Sequence, residues 1–369
     1  MIRAQLLRLW PACLLLTTGT SILMAGPPAS STPAPSTDAR LTDAPSTDTR
    51  STDVRLTPAP HASPCQTNRP AAASEDAARD LHSQSPRLVF DDLPDSEQAP
   101  HRQGNIYAPE IVRWRDGWLM YYGGQGRDGH DRIHLATSDD GIDWQRQGVV
   151  FAPSGVNHVN DASVVQVDGR LWMYYTRASL GVTDTIGLAV SEDGRRWEDR
   201  GTVFAPTKDG QWDSLLVGRP SVLYEQGRFR MWYDGRRDLP PGSPDPTAPQ
   251  SPHSRRYVGY AESDDGVVWR RRPDYVYSRN AGGVHVSRQS GQLIMLVESR
   301  QGTMWAASGD GVQWQSRGIL LPHAPSAAFG HVTPFLFARE GDLRVVFGAA
   351  RSERWDRNVL MSAPITLPK

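Results

Sequence analysis

An all-β fold, a five-bladed β-propeller of four-stranded antiparallel blades, is what the 369-residue sequence predicts, on three observations. Four segments share the pattern Ala-x-Ser-x-Asp-Gly-x-x-Trp: ATSDDGIDW (136–144), AVSEDGRRW (189–197), AESDDGVVW (261–269) and AASGDGVQW (306–314). A turn and an aromatic or apolar run precede each: RDGWLMYYGG (115–124), VDGRLWMYYTR (167–177), EQGRFRMWYDGR (225–236) and SGQLIMLVESR (290–300), with REGDLRVVFGAAR (339–351) as a fifth copy. Before each run lies one more strand-like segment: APEIVRW, DASVVQV, RPSVLYE, GVHVSRQ and VTPFLFA. Recurrence of one unit in one order is the signature of a repeat architecture. A β-sandwich with repeated hairpins is the alternative, and five-fold recurrence in the same order is difficult to build from it.

Each unit justifies its strands in turn. The inner segment alternates or is continuously apolar, as a strand does. The aromatic run after the turn returns antiparallel to it. Asp-Gly then closes a hairpin, because Gly accepts the positive φ that the tight turn demands. The Trp that follows offers a large apolar surface to the neighbouring unit, and a fourth strand runs after it. Four antiparallel strands per unit make a propeller blade. The fifth unit lacks the hairpin, so RNVLMSAPIT (357–366) is expected as its third strand. PRLVFDD (86–92) is expected as its outer strand, closing the ring. The mid-strand aromatics Tyr121, Tyr174 and Trp232 read as packing between blades.

The N-terminal portion differs. Residues 1–26 read as a signal peptide: Arg3 and Arg8 precede an interrupted apolar stretch, Leu9 to Met24. An uncleaved membrane anchor is the alternative, and the run is short and broken for a spanning helix. Residues 27–84 read as a disordered spacer. Their Pro, Ser, Thr and Asp content, with five pentads from STDAR to LTPAP, cannot bury a core. The propeller is then 85–369, on a protein secreted, periplasmic or held at the cell surface. With Cys13 in the apolar stretch, Cys65 is alone in the mature chain, which excludes an intramolecular disulfide. A formal net charge of -1 excludes nucleic acid as an expected partner.

Antiparallel geometry selects the candidate site. The first strand of a blade starts on one face of the disc, and the second ends on it. The inner-strand starts place Asn105, Tyr107, Glu110, Asn160, Asp161, Asp213, Arg219, His285, His331 and Thr333 around one mouth of the channel. The second-strand ends add Gln125, Arg177, Asp234, Arg236, Glu298, Arg300 and Arg351. The Pro-rich stretch 236–257 falls on the same rim, as a wall of a cleft or as a tolerated insertion. The bland reading of Asn160-Asp161 is a turn that bounds a strand.

With these residues in place, the chain resembles the five-bladed propeller glycoside hydrolases, family 43 with its arabinanase and xylosidase relatives and the family 32 fructan hydrolases. The likeness spans about residues 88 to 366. Asp161-Ala162-Ser163-Val164 resembles the family's Asp-Pro-Ser-Val, whose Asp is base or nucleophile. Ala108-Pro109-Glu110 resembles its Ala-Pro-Asp, with Glu substituted, whose acid tunes the proton donor. Gly330-His331 resembles the Gly-His that brings a channel histidine near a water or metal. The resemblance implies a glycoside hydrolase or close relative acting on oligo- or polysaccharide. Asp161 would be the base, Glu298 or Asp213 the acid, and Glu110 the modulator. No cofactor is expected beyond a channel water or metal ion near His331.

Glycoside cleavage needs one carboxyl protonated and one ionised across the bond. Each candidate has a plainer alternative. Asp213 would cap a turn, and Glu298 would pair with Arg300 or Arg351. Arg177, Arg219, Arg236 and Arg351 would either clamp an acidic sugar, with Asn160 and His331 as further binding groups, or neutralise nearby carboxylates. Two other functions stand beside the enzyme. A monomer is expected in each case, and one alternative is a non-catalytic propeller that binds glycan or a protein partner at the cell surface, expected if arginines fill the gap between the acids. The other is a sialidase-like enzyme, which five blades would count against.

Overall fold

The computed structural model describes residues 85–91, 105–125, 129–179, 182–208, 210–238, 254–279, 281–339 and 341–368. The expected signal peptide and spacer lie outside them. Five four-stranded antiparallel sheets follow one another around a ring. Strand β1 (Arg87–Phe90) comes first in the chain. Blade one is β2 (Ile106–Trp114), β3 (Gly117–Gln125), β4 (Asp131–Ser138) and β5 (Gln145–Phe151). Blade two is β6 (His158–Val167), β7 (Arg170–Ser179), β8 (Val182–Ser191) and β9 (Glu198–Phe204). Blade three is β10 (Leu216–Glu225), β11 (Arg228–Asp238), β12 (Ser254–Ser263) and β13 (Arg270–Arg271). Blade four is β14 (His285–Gln289), β15 (Gln292–Val297), β16 (Gly302–Ser308) and β17 (Gln315–Pro322).

Blade five is β18 (His331–Arg339), β19 (Asp342–Ala350) and β20 (Asn358–Pro364), with β1 as its fourth strand. The pairing Leu88↔Met361 therefore joins the two ends of the propeller. The pairing covers the edge that β20 would otherwise present.

Two hydrogen-bond series join neighbouring blades. Tyr121 Oη donates to the Gly194 carbonyl, Tyr174 Oη to that of Gly266, and Trp232 Nε1 to that of Gly311, each at 2.8 Å. Each of these glycines belongs to the next blade's Asp-Gly turn, so the mid-strand aromatics do pack between blades. Nearer the axis, Glu110 Oε1 accepts from Val164 N–H, Ser163 Oγ from Val222 N–H, and Ser221 Oγ from Val286 N–H. Within each turn the Asp side chain caps its own backbone. Asp140 Oδ1 accepts from Ile142 and Asp143, and Asp193, Asp265 and Asp310 repeat the arrangement. The shared motif is thus a folding element.

Candidate functional site

The inner strands share a backbone irregularity. Each of β2, β6, β10 and β18 carries a bulge, between Tyr107/Glu110, Asn160/Ser163, Gly218/Ser221 and Val332/Phe335. Ala108, Asp161, Arg219 and Thr333 sit in these bulges with φ of 52°, 51°, 46° and 42°, and Gly283 takes the matching place in blade four at 55°. For a non-glycine residue this left-handed conformation costs roughly 1–2 kcal/mol. A bulge re-aims a side chain, and here the five positions line the channel together. Asn160-Asp161 is therefore not a strand-bounding turn but the bulge of an inner strand.

Asp161 is buried, at 5% exposure. Its Oδ2 accepts from Thr176 Oγ1 at 3.1 Å and lies 3.8 Å from Arg219 Nε. Its Oδ1 is buried with no hydrogen-bond partner. Burial pushes its carboxyl up to about 6, with the charges of Glu298 and Asp131 adding to the rise and Arg219 opposing it.

A charged network stands beside it. Arg219 Nη1, Arg236 Nη2 and Arg256 Nη2 all reach one oxygen, Asp234 Oδ2, at 3.1, 3.2 and 3.0 Å. Burial alone would raise Asp234, but the three guanidiniums hold it down at about 2. Burial and repulsion from Arg256 and Arg219 lower Arg236 to about 10. Arg256 also meets Glu298 Oε1 at 2.5 Å, and Glu298 Oε2 accepts from Thr333 N–H at 3.1 Å. Burial would raise Glu298, yet Arg256 and Arg219 win and keep it below its ordinary value.

On the other side of Asp161, Tyr107 Oη donates to Asp131 Oδ2 at 2.9 Å. Asn160 Nδ2 donates to Tyr107 Oη at 2.8 Å and to the same Asp131 oxygen at 3.2 Å. His158 Nδ1 accepts from Asp131 N–H at 3.1 Å, and His158 Nε2 lies 3.2 Å from His130 Nδ1.

Of the remaining expected site residues, Glu110 lines the same channel as Asp161, and the others fall elsewhere. Asp213 is fully buried and held by Tyr233 Oη, Arg271 and Thr207. A Cβ on Gly235 would meet Asp213 Cβ at 2.7 Å. Gly235 points away from its neighbours Asp234 and Arg236, so Asp213 packs on the opposite face of that sheet. Glu110 is an interblade hydrogen-bond acceptor, raised by burial to about 8. Arg177 pairs with Asp199 at 2.7 Å and Arg351 with Asp91 at 2.8 Å, both away from Asp161. His331 is fully buried, stacked on Phe347 at 3.8 Å and bonded through Nδ1 to Thr303. Burial lowers it to about 3, so it is neutral. Neither Arg300 nor Arg351 is the partner of Glu298; Arg256 is. Among the described residues no group of three or more His, Cys, Asp or Glu is arranged to hold a metal ion.

Three residues of the mouth escaped the sequence reasoning: Asp131, Asp184 and Arg256. All stand at the same place relative to the Ala of the hairpin motif, at or near the start of a third strand. Asp184 is half-buried and raised by burial, against the opposing charges of Arg219 and Arg236. The signal was available, since a third strand begins on the face where the second ends.

The fold is that of the five-bladed propeller glycoside hydrolases. Among solved structures, one of BT0996 in an RGII complex matches at TM-score 0.62 and 19% identity, over 80% of this protein and 96% of the other. A GH130 structure, from the family of mannoside phosphorylases with hydrolases that target β-1,2 mannosidic linkages in Candida mannan, matches at TM-score 0.58 and 14% identity, over 78% and 97%. In sequence, the uncharacterised protein Rv1502 of Mycobacterium tuberculosis is 27% identical over 255 residues, 58% of this chain and 81% of that protein. A 1,2-β-oligomannan phosphorylase of Thermoanaerobacter is 31% identical over 144 residues, 37% of this chain and 45% of that protein. No family profile matches the chain. The ring has five blades, which counts against the sialidase-like alternative.

Proposed function

We propose that the protein cleaves glycosidic bonds at this mouth, with Asp161 as the carboxyl that protonates the leaving oxygen. One observation carries the reading. Asp161 is the buried mouth carboxyl with a raised pKa and an oxygen left without a partner, while Glu298 and Asp234 are held ionised by arginines. A general acid must hold its proton near the working pH. This reverses the role that the resemblance implies for Asp161, which was the base there, with Glu298 or Asp213 as the acid.

The arginines Arg219, Arg236 and Arg256 already face Asp161, Asp234 and Glu298, so a neutral sugar fits the mouth better than an acidic one. The mannoside-acting relatives make β-1,2-linked mannosides the first substrates to test. The signal-like segment 1–26 supports action outside the cytoplasm.

Incubation of oligomannosides and alkyl glycosides, whose leaving oxygen needs a proton, with wild type and Asp161→Asn, with and without inorganic phosphate, tests the proposal. Cleavage by wild type and its loss in the variant are expected. Equal cleavage by both would remove Asp161 from the chemistry. A second reading, glycan binding without catalysis, is favoured by one observation: Arg219 and Arg256 stand among Asp161, Asp234 and Glu298 and leave no open acid pair there. Saturable oligosaccharide binding with no cleavage in any arm would establish it.

A further inference from the structure

We propose that Asp131 is the second carboxyl of the reaction, the base that takes the proton from the attacking water. This rests on the glycan-cleaving reading above. That reading requires a second carboxyl on the mouth that is not consumed by an arginine, and Glu298 and Asp234 do not qualify. Asp131 does. It opens β4, retains 16% side-chain exposure, and has no arginine partner among the described residues. Its Oδ2 accepts from both Tyr107 Oη and Asn160 Nδ2. No donor among the described residues reaches Oδ1.

Those two donors hold the Asp131 carboxylate, and one of them is the residue that precedes the acid. Asn160 and Asp161 are consecutive in the bulge, so one short backbone segment orients both carboxyls. Tyr107 feels the charges of both Asp131 and Asp161, so both carboxylates act on the same hydroxyl. The environments also differ. Asp161 is deeply buried and raised, whereas Asp131 is partly exposed and accepts two hydrogen bonds. His158 and, behind it, His130 lead from Asp131 along the rim.

The step balances without another reactant. Water oxygen forms the bond to the anomeric carbon, and its proton passes to Asp131. The bond from that carbon to the glycosidic oxygen breaks, and the oxygen takes the proton of Asp161. The products are a free sugar and an alcohol. Asp131 ends protonated and Asp161 ionised, and exchange with solvent restores both.

The test compares Asp131→Asn and Asp161→Asn on a dinitrophenyl glycoside and an alkyl glycoside of the sugar that wild type cleaves. Loss of a base slows every substrate alike, so Asp131→Asn should lose about 10²–10⁴-fold in kcat on both. The sugar's Kd and the protein's Tm should stay near wild type. Asp131→Glu, which keeps a carboxylate, should recover part of the activity and carries the test if Asn lowers the Tm. Activity of Asp131→Asn within about threefold of wild type would overturn the proposal, as would a loss confined to the alkyl glycoside. Cleavage that depends on phosphate and yields a sugar phosphate would also overturn it, because phosphate needs no base, while leaving the glycan-cleaving reading intact. Wild type that binds oligosaccharide but cleaves none of the panel would overturn both.

Discussion

Arg219 reaches across two blades: its Nε lies 3.8 Å from Asp161 Oδ2 and its Nη1 3.1 Å from Asp234 Oδ2. Its backbone N–H is held by Thr176 Oγ1 at 2.7 Å, and that same hydroxyl donates to Asp161. One guanidinium therefore limits how far burial raises the Asp161 carboxyl. Replacing it with Met removes the opposing charge, so the Asp161 pKa should climb above its value of about 6. Because the acid works protonated, the alkaline limb of kcat/KM should move to higher pH. A limb that stays in place or moves to lower pH would contradict the coupling.

Arg256 joins two buried carboxylates, Asp234 and Glu298. Arg256→Met leaves both without their shared counter-charge inside the protein. Removing one partner of a buried ion pair costs about 3–5 kcal/mol. Urea unfolding should show that loss, and Arg256→Met combined with Glu298→Gln should recover part of it. A loss below about 1 kcal/mol, in the range of surface pairs, would show that the network is solvated.

Tyr174→Phe removes the hydroxyl that meets the Gly266 carbonyl. The carbonyl is then buried without its donor, at a cost of about 1–3 kcal/mol. Tyr121→Phe should cost a similar amount at Gly194, and the two should add, being in separate blade contacts. Chemical denaturation of the singles and the double checks both values. Strong non-additivity would mean that the contacts are not independent.

Glu110 ties blade one to Val164 of blade two, and burial raises it from 4.5 to about 8. A carboxyl raised in the folded state adds stability that is fully present below the unfolded value. That stability fades as pH rises through the folded one. Wild-type stability should therefore fall between about pH 4.5 and 8, with a slope from this group of at most about 1.4 kcal/mol per pH unit. Glu110→Gln keeps an acceptor for Val164 N–H and should flatten that slope. An unchanged slope would assign the dependence to other groups.

Much of the fold was legible because it repeats. The Ala-x-Ser-x-Asp-Gly-x-x-Trp turns, the aromatic second strands and the closing segments at both ends fall where the sequence places them. The site was legible only in part. Asp161, Arg219, Arg236 and Glu298 sit on the expected mouth because strand direction alone determines the face of the disc. Alternation along a strand decides the rest. Thr176 points toward the channel, so its neighbour Arg177 points the other way and finds Asp199. Asp213 precedes its strand and packs under Gly235, a contact that no local pattern encodes. The third-strand residues Asp131, Asp184 and Arg256 were readable from their shared repeat position, and strand starts and second-strand ends alone did not reach them.

The central claim is that Asp161 delivers the proton to the leaving oxygen. Its most direct test is the leaving-group dependence of Asp161→Asn. On an alkyl glycoside, which needs that proton, the variant should lose about 10²–10⁴-fold in kcat/KM. On a dinitrophenyl glycoside, which leaves unaided, it should stay within about tenfold of wild type, the difference being the acid's contribution alone. An equal loss on the two substrates, or no loss on either, would contradict the assignment.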